Sequence, residues 1–317
     1  MTPQMVRRIA ARNGHAVPND LFTPDGKGYG WTDDGTAYGA FLAMVVGAYD
    51  RAARVLKTEE DYRDITYDYL SRTAREGAIY VELTISADHG IAIGLSYPQM
   101  VRAIALGIDD ARRDFGIECR LLSACVRHYG PAKAVEVAQL ARDFPHPYVT
   151  GFAMAGDEKA GTIADFKPAF DIAERAGLQK TAHAGEAAGS ESIRDAWKIL
   201  GISRFGHMVR VVEDEALMRE LQKAGAVAEV CVSSNLALHF YKDYAEHPLH
   251  RLKARGFKVT LNSDDPPFFH TSLGREYAIA QEHFGFSDAD LRAATRAALE
   301  AAFVDETTRQ RLLAKLG

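Results

Sequence analysis

An α/β fold, and within that class a (β/α)8 TIM barrel, is what this sequence predicts. Short apolar runs rich in β-branched residues alternate with amphipathic helical stretches from about residue 58 to the end, and such alternation implies βα units around a parallel sheet. The runs recur at intervals of roughly 20–40 residues, the scale of one strand–helix unit. No linker or shift in composition interrupts them. Residues 1–317 are therefore expected to form one barrel domain, with a loop and lid helices over 14–76 and terminal helices over 287–317.

The chain opens on a helix. Thr2 suits the cap, Pro3 suits the first helical position, and Met5, Ile9 and Ala10 share a face that ends near Asn13-Gly14. Residues 14–36 are rich in Gly, Asp, Pro and aromatics and read as a long loop. Gly26, Gly28 and Gly30 follow no strand, which argues against a phosphate-binding loop. Helices are expected over Ala37–Leu56 and Glu59–Glu76. On the first, Phe41, Leu42, Val45 and Tyr49 form an apolar stripe, suited either to core packing or to a lid over an apolar pocket.

Seven strand candidates follow: Ala78–Ser86, Ile117–Val126, Tyr148–Ala155, Gln179–Ala184, Arg204–Met208, Ala226–Ser234 and Lys258–Asp265. Helical patterns lie between them at Tyr97–Phe115, Pro131–Asp143, Asp165–Ala176, Ser192–Leu200 and Asp214–Ala224, and two more close the chain at Ser287–Phe303 and Asp305–Leu316. A TIM barrel needs eight strands. Because residue 1 already begins a helix, the first strand is expected to precede it and to be missing from this chain. Seven strands alone would leave two unpaired edges that closure removes.

Composition excludes several function classes. A length of 317 residues, 47% hydrophobic and 26% charged, is ordinary for a soluble globular protein with a large core. The net charge of −5 gives no basic footprint for nucleic acid. No apolar run approaches the roughly 18–20 residues that cross a bilayer. The opening MTPQMVRRIAARNG has no secretory h-region. Cys119, Cys125 and Cys231 are odd in number and lack CxxC spacing, which argues for a reducing, cytoplasmic setting and against a thiolate zinc site.

Four segments at predicted strand ends carry groups suited to chemistry: Thr181-Ala-His-Ala-Gly-Glu186, Phe205-Gly-His-Met-Val-Arg210, Cys231-Val-Ser-Ser-Asn235 and Leu261-Asn-Ser-Asp-Asp-Pro266. The C-terminal ends of barrel strands are where active sites of this architecture lie. His183 is followed by two small residues and then Glu186, so a sharp turn can set both side chains above the barrel mouth. His207 comes one βα unit later. Asp264 and Asp265 place two carboxylates side by side in a partly desolvated strand end, a cost that a cation relieves. An Asp-Asp-Pro turn is the plainer alternative for that pair alone.

Taken together, these segments resemble the signature of the adenosine deaminase family of metal-dependent amidohydrolases, and Ala155-Gly-Asp-Glu158 matches a further family segment. The resemblance spans almost the whole chain. It implies a (β/α)8 barrel holding one Zn2+ per chain, with His183 and Asp264 as zinc ligands, Glu186 as the group sharing its proton with purine N1, and His207 as the group that orients the zinc-bound water and takes its proton. It also implies that Asp265 binds N7 and that the Gly156 backbone approaches N3. The implied reaction is hydrolytic deamination of adenosine or 2′-deoxyadenosine, with free adenine as the alternative. The partner is a small purine; neither nucleic acid nor a membrane is expected.

Two departures from the family pattern stand out. The family's His-x-His pair at the end of strand one, which supplies two zinc ligands, has no counterpart here; His15, His89 and His128 are single. Weak zinc binding and little activity are expected of these residues alone, and upstream sequence is expected to restore both. Met208 also follows His207 where many members carry Gly. Among other readings, a two-metal barrel with a bridging Lys fits poorly, because Tyr148–Ala155 holds no Lys. The His-x-Glu…Pro-Cys-x-x-Cys pattern of cytidine-type deaminases is absent. A purine-binding remnant without catalysis would not need His183, Glu186, His207 and Asp264 together.

Overall fold

The computed structural model describes residues 1–316. Its centre is a sheet of seven parallel strands in sequential order: β1 (Tyr80–Ser86), β2 (Glu118–Val126), β3 (Val149–Ala155), β4 (Gln179–Ala184), β5 (Arg204–His207), β6 (Val227–Val230) and β7 (Lys258–Leu261). Parallel neighbours require a crossover, and helices supply it between successive strands, as in Tyr97–Phe115 and Pro131–Asp143. The sheet is the curled sheet of a (β/α) barrel. β1 and β7 each pair on one side only, so the place of an eighth strand lies between them.

The helices form where the sequence patterns them. Thr2 Oγ1 accepts from the Met5 N–H at 3.2 Å, and helix Pro3–Arg12 buries Met5, Val6, Ile9 and Ala10. Helix Tyr97–Phe115 starts on a Ser96–Gln99 capping box and stops at Gly116, whose φ of 69° is a left-handed conformation that glycine adopts without strain. Its buried stripe, Met100, Val101, Ile104, Ile108 and Ala111, packs on helix Glu59–Arg75 and β2.

Several boundaries depart from the sequence expectation, most of them at strand ends. The run Ala226–Ser234 is a strand only to Val230; Cys231 breaks it and Val232–Ala237 is a helix. The run Lys258–Asp265 ends at Leu261, and Asp264 has a φ of 50°. β5 ends at His207, where His207 and Met208 take left-handed φ values of 60° and 57° in succession. Non-glycine residues avoid that region unless surrounding structure holds them there, and such strain collects at functional sites. The predicted helix Ala37–Leu56 ends at Ala53 and contains a π-helical stretch at Ala43–Tyr49. Its buried face is Ala40, Met44, Ala48 and Ala52; Phe41, Val45 and Tyr49 are only partly buried, and Leu42 is exposed.

At the end of the barrel opposite those strand ends, Arg204 is buried between strands. Its Nη2 meets Glu82 Oε2 of β1 at 2.5 Å and its Nε lies 2.7 Å from Glu229 Oε1 of β6. The guanidinium also lies over the Phe303 ring at 3.4 Å. No helix of the described residues is long and apolar enough to cross a membrane.

Candidate active site

The site gathers where β3 to β7 end. On β4, His183 sits opposite Gly206 of β5 in the strand register. A Cβ at Gly206 would stand 2.8 Å from His183 Nδ1, so glycine there is what lets the imidazole lie against the neighbouring strand. After Ala184 the chain turns at Gly185, with φ +79°, and a Cβ there would collide with Ile193 at 2.3 Å. This turn aims Glu186 into the interior.

The turn is held from behind by Glu158. This buried carboxylate accepts the N–H groups of Gly185 at 2.5 Å, Glu186 at 3.0 Å, Ala187 at 2.6 Å and Ala188 at 2.8 Å, and the Ser192 hydroxyl at 2.6 Å. Five donors converging on one carboxylate are charge-assisted hydrogen bonds, the stronger kind. Gly156, two residues before it at the end of β3, has φ +90°, and a Cβ there would meet His128 Nδ1 at 2.9 Å.

His207 and Glu186 meet in the interior. Glu186 Oε1 lies 3.3 Å from His207 Nδ1 and accepts from Asn235 Nδ2 at 2.9 Å. Nδ2 is also 3.3 Å from His207 Nδ1. The His183 and His207 rings pack edge to face, centroids 4.8 Å apart. On its other side His207 Nε2 is 3.8 Å from Asp264 Oδ2. The structure therefore brings His183, Glu186, His207 and Asp264 together from β4, β5 and β7, with Asp265 next in the chain.

Burial sets the protonation of this cluster. Glu186 is pushed well above the ordinary carboxyl range, first by burial and then by the charges of Asp264 and Glu158, so it keeps its proton. Burial and the adjacent His183 push His207 well below its usual range, so its ring is neutral. Asp265 is also pushed up, by burial and by Asp264. The carboxyls crowded around Asp264 repel one another, which a divalent cation relieves.

Donor atoms of His207, Cys231 and Asp264 lie within 4.8 Å of one another; His183 falls outside that trio. Burial, then the carboxylates of Asp264 and Glu276, hold the Cys231 thiol well above its usual range, so it offers no thiolate. The imidazole nitrogens and carboxylate oxygens that remain are zinc-type donors, and the residues fit such an ion.

Sequence reasoning did not single out Glu158 or Asn235, which the structure places at the heart of the cluster. Both lie in quoted segments, but their partners are far along the chain and no local spacing announces them. A cleft of about 610 Å³ lined by Thr2, Pro3, Lys27, Arg72, Pro266 and His270 opens beside this cluster rather than over His183 and Glu186.

A family model described as adenosine deaminase matches residues 1–317. The chain is 47% identical over 315 residues to an adenine deaminase of Agrobacterium fabrum, a match spanning 99% of this chain and 94% of that protein. It is 49% identical over 275 residues to an adenine deaminase of Rhizobium etli, covering 87% and 85% of the two. Among solved structures, an adenine deaminase from Arthrobacter aurescens superposes with a TM-score of 0.88 at 25% identity, over 99% of this chain and 93% of that one. An amidohydrolase from Burkholderia ambifaria with bound zinc superposes at 0.87 and 24% identity, over 100% and 86%.

Proposed function

Because the chain belongs to the adenosine deaminase family, we propose that it deaminates the free base adenine to hypoxanthine and ammonia. The chain is a hydrolase acting on carbon–nitrogen bonds of cyclic amidines. The observation that selects the substrate is that relatives 45–49% identical over most of their length are named adenine deaminase. They favour the free base over the nucleoside that the motifs first suggested.

The reaction balances as adenine plus water giving hypoxanthine plus ammonia. His183 and Asp264 would be the residues of this chain that hold a zinc ion. When bound, zinc supplies a water of lowered pKa. Glu186 carries the proton that passes to ring N1, so that electron density from the attack at C6 has somewhere to go. His207, neutral and with Nε2 on the Asp264 side, orients the water and takes its proton. The proton then leaves with the amino group as the C6–N6 bond breaks, and the proton left on the new C6 oxygen restores the Glu186 carboxyl. Asp265, whose carboxyl burial pushes up toward neutral pH, is the partner for N7, and the backbone at Gly156 meets N3.

Turnover of adenine in ¹⁸O-water tests this directly. Mass spectrometry is expected to find one ¹⁸O atom in each hypoxanthine formed, with one ammonia released and with loss of both on chelation. No hypoxanthine with zinc present, or product without label, contradicts the reading.

A further inference from the structure

One chain of hydrogen bonds enters the site from outside the residues that face substrate. His247 is fully buried. Its Nδ1 accepts the backbone N–H of Leu249 at 3.2 Å, and its Nε2 lies 3.1 Å from Asn235 Oδ1. A neutral imidazole has one proton, and burial together with His250 pushes His247 down to about 3, so the ring is neutral. With Nδ1 occupied as an acceptor, that proton is on Nε2 and is donated to Asn235 Oδ1. A backbone N–H cannot reverse, so the polarity of the chain is fixed at its outer end.

The consequence runs inward. With Oδ1 turned to His247, the Asn235 amide must present Nδ2 to the site, where it lies 2.9 Å from Glu186 Oε1. We infer that His247 and Asn235 are positioning residues that hold Glu186 Oε1 as an acceptor and thereby place the Glu186 proton on Oε2, the oxygen left for the substrate. The same Nδ2 also lies 3.3 Å from His207 Nδ1, so one amide faces both side chains. Glu186 is thus set in the protonation geometry its role requires, by a relay that starts at a main-chain amide. The inference deepens the deaminase reading and rests on Glu186 as proton donor.

Both residues are well placed for this and poorly placed for anything else. Asn235 is fully buried on a short helix, Val232–Ala237, that exists only because β6 stops at Val230. His247 is enclosed by Tyr241 and Phe284, whose ring centroids lie 5.1 and 5.6 Å from its own. That aromatic wall excludes water that could substitute for the amide.

The test combines a spectroscopic and a kinetic readout on the whole protein. Imidazole ¹⁵N shifts of histidine-labelled protein, assigned through His247→Gln, are expected to show His247 protonated at Nε2. Asn235→Ala and Asn235→Asp are expected to lower kcat on adenine about 10²-fold with KM little changed. His247→Gln, which keeps a donor toward Oδ1, should recover most of the activity that His247→Leu loses. A His247 proton at Nδ1 in the wild type overturns the relay. So does an Asn235 variant whose kcat per folded molecule is unchanged, which leaves only a packing role. A wild type inactive on adenine refutes the substrate reading, and the imidazole pattern still decides the relay.

Discussion

Glu186 is a carboxyl whose usefulness comes from where it is buried. Desolvation and the neighbouring Asp264 and Glu158 keep it protonated, so an amide in its place copies its shape but gives no proton. Glu186→Gln is expected to fold normally and to lose about 10²–10⁴-fold in kcat, measured against melting temperature on the same samples. Glu158 acts one step back, through the 185–188 turn. Glu158→Gln turns an amide group toward backbone N–H donors, and a buried donor left unpaired costs about 1–3 kcal/mol. Its expected signature is a lower melting temperature together with lower kcat, a pairing that Glu186→Gln does not show. His247 gives a pH effect of known sign. The folded protein holds its pKa near 3, against an ordinary 6.5, so between those values the unfolded chain binds more protons and stability falls as pH drops. From about pH 7 to about pH 5 the wild type should lose about 2 kcal/mol more than His247→Gln in urea unfolding. Of these residues, His183, Glu186, His207 and Asp264 were legible in the sequence because each ends a strand beside small residues. Glu158 and His247 were not, because their partners lie elsewhere in the chain and hydrogen-bond geometry leaves no periodic trace.

The strands and helices were read more easily in their middles than at their ends. All seven strands sit within the runs that alternation marked, since burial on both faces demands continuous apolar stretches. Their C-terminal ends were read too long at β5, β6 and β7, because Cys231-Val232 and Ser263 look strand-like while the chain is turning to deliver side chains. Those turns rely on left-handed residues such as His207 and Asp264, where local preference yields to the site. At the opposite end of the barrel, Arg204 ties β5 to β1 and β6. Arg204→Met leaves the partly buried Glu82 and Glu229 without their cation, and about 1–3 kcal/mol of stability should be lost. Thermal unfolding measures it; a melting temperature equal to that of the wild type would show that the two carboxylates find other partners.

At the scale of the whole molecule, the parallel order β1 to β7 carries polar groups from distant segments to one rim. The fold class was legible because its repeat is regular; the substrate was not, because adenine and adenosine share the atoms that Glu186, Asp265 and Gly156 are proposed to meet. The base differs from the nucleoside only in lacking a ribose, and the residues that sense a ribose form no motif in this chain. Relative specificity is therefore the measurement that bears most directly on the central claim, since a ratio is independent of how much of a preparation holds zinc. Initial rates of ammonia release should give a kcat/KM for adenine at least about 10²-fold above that for adenosine. A ratio near or below one would contradict the account.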